Sequence, residues 1–211
     1  MPNWCRNNLT VRGNYEQVSK FVEDVRDDEH ELGFRLAQLV PCPQELKETM
    51  AGFHSDEEKQ KALVEQQKRN IEKYGHADWY EWEYANWGTK WGDCETDFIS
   101  GEVIKSEKDQ YSNCAFVFES AWGPCTQMII HISKLYPELW FGGIYEETGM
   151  MFAGCYVVHN GELLMDECAD IEVPESVTKA MEEDDDYEPF HDMLADIAGD
   201  YEYKVEGVMF A

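Results

Sequence analysis

The sequence has few cations and no long apolar run. Against 44 acidic residues it sets only 17 lysines and arginines, for a formal net charge of −27. Nucleic acid is held by cationic grooves that release condensed counterions, so direct binding to DNA or RNA is not expected. No apolar stretch approaches the roughly 18 residues of a membrane span. The opening Met1-Pro2-Asn3-Trp4-Cys5-Arg6 lacks the basic-then-apolar layout of a secretory signal, which predicts a cytoplasmic protein. The seven cysteines contain no C-x-x-C pair and their number is odd, unlike a disulfide framework. They read as reduced thiols packed as small apolar groups. Six scattered histidines show no metal-ligand spacing, so neither a metal nor a cofactor is expected. The dinucleotide fingerprint G-x-G-x-x-G, the P-loop, H-E-x-x-H and G-x-S-x-G are all absent, and the reading is of a non-catalytic protein.

The charge that is present is unevenly placed. From Leu135 to Ala211 there are two bases, Lys179 and Lys204, against twenty acids. Such a surface favours solubility. It also admits imitation of a polyanion, occupying a basic protein in place of nucleic acid. The acidic run Glu182–Asp186 lacks the glycine and glutamate positions of a calcium-binding EF-hand loop.

Periodicity divides the chain into elements. Asn7–Arg12 alternates as a strand, Tyr15 to about Asp27 repeats at helical spacing, and Phe34–Val40 alternates again before Pro41-Cys42-Pro43. Residues 43–86 read as a helical insertion. Its main helix is Asp56–Tyr74, with Ser55 and Glu58 spaced as a capping box and Gly75 as the stop. A second helix, Asp78–Ala85, is crowded with Trp79, Tyr80, Trp82 and Tyr84. Glu95–Ile104 and Asn113–Ser120 predict an antiparallel pair joined by Lys105–Ser112. A helix follows Gly123-Pro124, and strands are expected over Trp140–Glu146, Met150–Val158 and Glu162–Met165. Asn160-Gly161 marks the hairpin between the last two, because both central positions of a type I′ turn need positive φ. Pro174 to Gly199 is helical, and Tyr201–Phe210 reads as a last strand. Without the insertion this is β-α-β twice over. The expected fold class is α+β: a ferredoxin-like antiparallel sheet with helices on one face. The body would span residues 1–173 with the insertion at about 43–86, and residues 174–211 would form an acidic extension packed on it.

Tryptophan beside a conformationally special residue occurs three times: Asn86-Trp87-Gly88, Lys90-Trp91-Gly92 and Ala121-Trp122-Gly123-Pro124. A large ring on a turn remains reachable in a way that a ring on a helix face does not. The candidate ligand-binding residues are Trp87, Gly88, Thr89, Lys90, Trp91 and Trp122. Lys90 and the Thr89 hydroxyl, with an open Gly88 N–H, would hold a phosphate or carboxylate while an indole stacks on a ring. Alternatively the indoles seal the end of the sheet and Lys90 pairs with Asp93 or Glu95. No catalytic residue is assigned. Cys5 as a nucleophile would need a base and a lowered pKa, and no histidine lies near it in sequence. The side-chain amides of Asn3, Asn7 and Asn8 read as partners for neighbouring backbone.

The opening Met1–Cys5, the run Asn7–Gly13, and the segments Asn86–Trp91 and Phe118–Pro124 together resemble the YubB-like family of phage and plasmid reading frames. The resemblance reaches from residue 1 to about 150 and does not include the region after Pro174. It implies a ferredoxin-like domain and a mobile-element setting, with no catalytic residues to carry over and no assigned function. Family members show Ser-Pro-Pro after the last tryptophan where this chain has Gly123-Pro124-Cys125. The partner expected from the chain as a whole is a host protein or a small nucleotide-like ligand, with a possible counter-defence role. A nucleotide-processing enzyme is the alternative from a different class.

Overall fold

A computed structural model describes residues 2–27, 33–98, 104–105, 111–183 and 185–210. The chain opens with β1 (Trp4–Gly13) and α1 (Tyr15–Asp24), continues through α2 (Gln44–Lys47), α3 (Glu57–Tyr74) and α4 (Trp79–Trp87), and returns to the sheet as β2 (Cys94–Phe98), β3 (Ile104–Lys105) and β4 (Ser112–Ala121). After α5 (Thr126–Leu135) come β5 (Trp140–Glu147), β6 (Phe152–His159) and β7 (Glu162–Asp170), then α6 (Glu175–Glu183) and α7 (Glu188–Met209). The strands form one sheet in the order β2-β4-β1-β5-β6-β7, with the two-residue β3 also on β4. All pairings are antiparallel.

The first four strands of that order define the fold. β1 lies between β4 and β5, β2 lies outside β4, and the crossovers from β1 to β2 and from β4 to β5 carry α1 and α5. That is the split β-α-β arrangement of a ferredoxin-like domain. β6 and β7 extend the sheet beyond β5 as hairpins. The turn between them places Asn160 at φ 48° and Gly161 at φ 78°, the geometry its sequence requires.

Alternation along β1 sends Cys5, Leu9 and Val11 into the main core with α1 and α5. Phe21 of α1 is its aromatic centre, meeting Phe116, Tyr136 and Phe141 edge-on at 5.2–5.8 Å between ring centroids. A smaller core lies on the opposite face, where Tyr201, Val205 and Met209 of α7 cover Ala153, Cys155 and Val157 of β6. The helices of the split β-α-β unit thus share one face, and the C-terminal helix closes part of the other.

Two elements differ from the sequence pattern. Phe34–Val40 is not a strand: Leu36–Leu39 is a 3-10 turn with Leu36 and Ala37 buried, and only Phe34 bridges, to Arg26. A run with apolar residues at 34, 36, 37, 39 and 40 fits either form. The tie of Leu36 and Ala37 to Asp93, described below, decides it. The second strand of the ferredoxin unit is therefore β2, and everything from Val25 to Asp93 lies between α1 and it. Tyr201–Phe210 is likewise not a strand but the last turns of α7, where residues 201, 205 and 209 are buried at helical spacing. The N-cap of α3 is Asp56, whose carboxylate accepts from the Lys59 N–H at 2.9 Å, one residue past Ser55. Gly75 ends the helix at φ 79°. Of the expected strand Glu95–Ile104 and its connection Lys105–Ser112, residues 99–103 and 106–110 lie outside the described residues.

Candidate functional site

The sheet end where β1 begins, β4 ends and β2 begins gathers the tryptophan-glycine segments. α4 finishes at Trp87, and Gly88 caps it in the left-handed region at φ 81°, its N–H donating to the Tyr84 carbonyl at 3.1 Å. That N–H is consequently committed to the helix cap and is not open to a ligand. Thr89 is buried, and its hydroxyl donates to the Ala121 carbonyl at the end of β4. This bond ties the loop leaving α4 to the loop leaving β4.

Trp87 points inward. It is 3% exposed, its indole N–H donates to the Val40 carbonyl at 2.8 Å, and its ring stands edge-on to Trp82 at 5.5 Å. Trp87 and Thr89 therefore support the site from beneath. Trp91 and Trp122 behave differently. Each has φ 71° and each is 42% exposed. Positive φ is uncommon for any residue with a Cβ, and rarer for a bulky one. It costs about 1–2 kcal/mol per residue and persists only where the surroundings hold it.

Those surroundings are specific. The Trp91 N–H donates to Glu83 Oε2 at 2.8 Å, and burial raises the Glu83 carboxyl above its ordinary pKa despite that bond. Gly92, at φ 69°, lies so close to the core that an added Cβ would stand 3.0 Å from Ala37 Cβ and 3.4 Å from the Trp87 ring. Asp93 is buried, and its two carboxylate oxygens accept from the N–H groups of Leu36 and Ala37, both at 2.7 Å. Asp93 is thus an anchor for the 3-10 turn. On the other side, the Trp122 N–H donates to the Asn3 carbonyl at 2.9 Å, which extends the β1–β4 ladder past the pair Trp4–Ala121.

The structure adds a residue that sequence reading missed. The Trp4 ring lies 6.3 Å from that of Trp91, tilted by 43°, and is itself partly exposed. Its signal was the alternation of β1: Cys5 is buried, so Trp4 must face the other way. Lys90 Nζ stands 3.9 Å from the centroid of the Trp91 ring, a cation–π contact. No ring contact joins Trp122 to Trp91 among the described residues. The reachable site is therefore Trp4, Lys90 and Trp91 in contact, with Trp122 at the same end of the sheet.

Beneath this rim the polar residues of β1 are structural. Asn7 is buried, and its amide donates to the Cys5 carbonyl at 2.9 Å and to Ser120 Oγ at 2.8 Å. Burial pushes the Cys5 thiol up to about 12, so at neutral pH it is a packed thiol rather than a thiolate. Glu147, also buried, accepts from the N–H groups of Gly149 and Met150 and fixes the β5–β6 turn. No group of three or more histidine, cysteine, aspartate or glutamate side chains with metal-binding geometry occurs among the described residues. No described helix is long and apolar enough to cross a membrane.

Topology and family comparison agree on the class: an α+β protein built on a ferredoxin-like domain. Residues 101–194 match the family model described as a ferredoxin-like domain in Api92-like protein. That match takes in β4, α5, the hairpins β5–β7 and the start of α7. It includes Trp122 but stops short of Trp4 and Trp91. The chain is thus similar to a ferredoxin-like family of unknown function. No curated protein matches it. Among solved structures, a crystal structure of protein api92 from Yersinia pseudotuberculosis aligns with 82% of this chain and 99% of that one, at 8% identity and a TM-score of 0.44.

Proposed function

We propose that this chain is a non-catalytic accessory protein that binds a small nucleotide-like ligand at the rim formed by Trp4, Lys90, Trp91 and Trp122. The observation that carries the reading is the pair Trp91 and Trp122, both in the left-handed region and both nearly half exposed. A strained backbone that holds flat apolar rings toward water offers a stacking surface to a ring-bearing ligand. Lys90 provides the positive charge that an anionic ring compound needs, with Thr89 and Trp87 holding the loop. The buried, unactivated Cys5 supports binding rather than chemistry. The mobile-element setting implied by the sequence resemblance makes sequestration of a host signal, a counter-defence role, part of this proposal.

Titration of tryptophan fluorescence with a panel of nucleotides tests it. Quenching is expected, lost in Trp122→Ala and weakened about tenfold in Lys90→Ala, the value of one cation–π or charge contact. Silence across the panel at millimolar concentration, with the variants folded by circular dichroism, would overturn the reading.

A second reading has its own observation. Asp192, Asp196 and Asp200 are all exposed on α7, and their spacing of four residues sets them about 6 Å apart along the axis. They offer a row of negative charge on which a basic host protein would dock as on nucleic acid. Such a complex should dissociate steeply with added salt and be displaced by duplex DNA. Binding insensitive to both would reject it.

A further inference from the structure

The helical insertion holds a recess of about 750 Å³ between α2, the segment 49–54 and one face of α3. We propose that it is a binding site for a small organic bisphosphate, separate from the indole rim and independent of the reading given for it. Its volume lies within the range of small-molecule sites, roughly 300–1,000 Å³, and far exceeds that of a single ion.

The floor is built and satisfied. Asn70 is buried. Its amide donates to Thr49 Oγ1 at 2.9 Å and to the Ala77 carbonyl at 2.8 Å, and its oxygen accepts from Gln66 Nε2 at 2.8 Å. Thr49 donates in turn to the Glu45 carbonyl at 2.7 Å. A fully connected network of this kind is rigid, so the recess is held open by bonds rather than by loose packing. Beside it Leu63 supplies an apolar patch, with Ala62 and Met50 on the lining.

The walls carry the charge. Lys59, Arg69 and Lys73 line the recess, with Glu45 and Glu48 as the only carboxylates on it. Glu45 is already taken by Lys73 at 2.8 Å and by the Tyr74 hydroxyl at 2.6 Å, and Glu48 accepts from Gln44 at 2.8 Å. Lys59 and Arg69 form no ion pair among the described residues, and Arg69 donates only to Gln66 Oε1, at 2.7 Å. In a chain of net charge −27, these two cations, like several others among the described residues, have no carboxylate partner, and here both line one recess. They are ten residues apart on α3, about 15 Å along its axis, and bracket Leu63 and Gln66. Lys59 thus lies toward one end of the α3 lining and Arg69, beside the Lys73–Glu45 pair, toward the other, while Glu48, bonded to the neutral Gln44 amide, keeps a negative charge on the opposite wall. A ligand that matches has an anionic group at each end and a polar or apolar centre. Arginine's planar fork suits a phosphate.

Calorimetry and amide NMR of the full chain at low salt, with fructose 1,6-bisphosphate and fructose 6-phosphate as probes, test the assignment. The bisphosphate should bind about tenfold tighter than the monophosphate, the gain of one further charged contact, and should shift amides of α3 while sparing the indole N–H signals of Trp91 and Trp122. Lys59→Ala and Arg69→Ala, both on the exposed surface and not expected to disturb folding, should each reduce the bisphosphate to monophosphate affinity. Equal affinity for the two probes, no binding at millimolar concentration, or binding untouched by both substitutions would overturn it. Because the readouts fall on α3 and not on the indoles, failure here and failure at the rim are distinguishable.

Discussion

Replacing Asp93 should do more damage than any other single change near the rim. Its carboxylate is buried and holds two backbone N–H groups, those of Leu36 and Ala37, at 2.7 Å each. A hydrogen bond to a charged group contributes about 1.5–3 kcal/mol, and a buried donor left without a partner costs a comparable amount. Asp93→Ala removes both bonds at once and strands two N–H groups in a turn whose side chains, Leu36 and Ala37, are core. The expected loss is about 3–5 kcal/mol, the upper end for a single substitution. Asp93→Asn keeps one acceptor oxygen and should lose about half of that. Urea unfolding followed by tryptophan fluorescence measures the loss, with the denaturant slope unchanged if the native fold persists. Hydrogen exchange at Leu36 and Ala37 should accelerate in parallel. A fall of less than about 0.5 kcal/mol for Asp93→Ala, the level of an ordinary surface change, would refute the claim that this carboxylate anchors the 3-10 turn at Leu36–Leu39.

Gly143→Ala and Gly123→Ala should separate sharply in thermal stability. A Cβ at Gly143 would stand 2.1 Å from Cζ of the buried Tyr156, whereas one at Gly123 meets nothing within 4 Å. The first should cost about 1–3 kcal/mol or more as overpacking, the second less than about 0.5 kcal/mol, and equal melting temperatures would contradict the contact. Glu83→Gln should steepen the rise of stability from acid to neutral pH. The Glu83 carboxyl is raised in the folded state, chiefly by burial, so the native protein binds its proton more readily than the unfolded chain does. Its contribution favours folding below the ordinary carboxylate range and is lost as pH rises through the raised value. The amide, which can still accept from the Trp91 N–H, should stabilise the protein at neutral pH relative to acid. Parallel curves for wild type and variant would contradict it.

Much of the sheet was legible because strand alternation and turn chemistry are local. Asn160-Gly161 declared its hairpin, and Leu9 and Val11 declared the inner face of β1. The C-terminal stretch misled because Tyr201, Val205 and Met209 fit a strand read at short range and a helix read at longer range; the helix was settled by docking α7 on β6. Phe34–Val40 misled for a related reason, since its conformation is imposed by a carboxylate more than fifty residues away. Trp4 was overlooked at the rim because the alternation of β1 gives only the face it lies on, and the tertiary fold alone brings it to Trp91.

What the sequence determined by itself was the α+β class, the acidic surface and the positions of the tryptophan-glycine turns, all properties of composition and of neighbours a few residues apart. What only the tertiary structure decided was which indoles face water. Trp87, Trp91 and Trp122 share the same local signature, yet Trp87 is spent on the core because its N–H finds Val40, while Trp91 is held outward by a bond to Glu83 on the preceding helix and Trp122 by one to Asn3 at the start of the chain. Val40 lies 47 positions from Trp87 and Asn3 lies 119 from Trp122, and no local pattern encodes such separations.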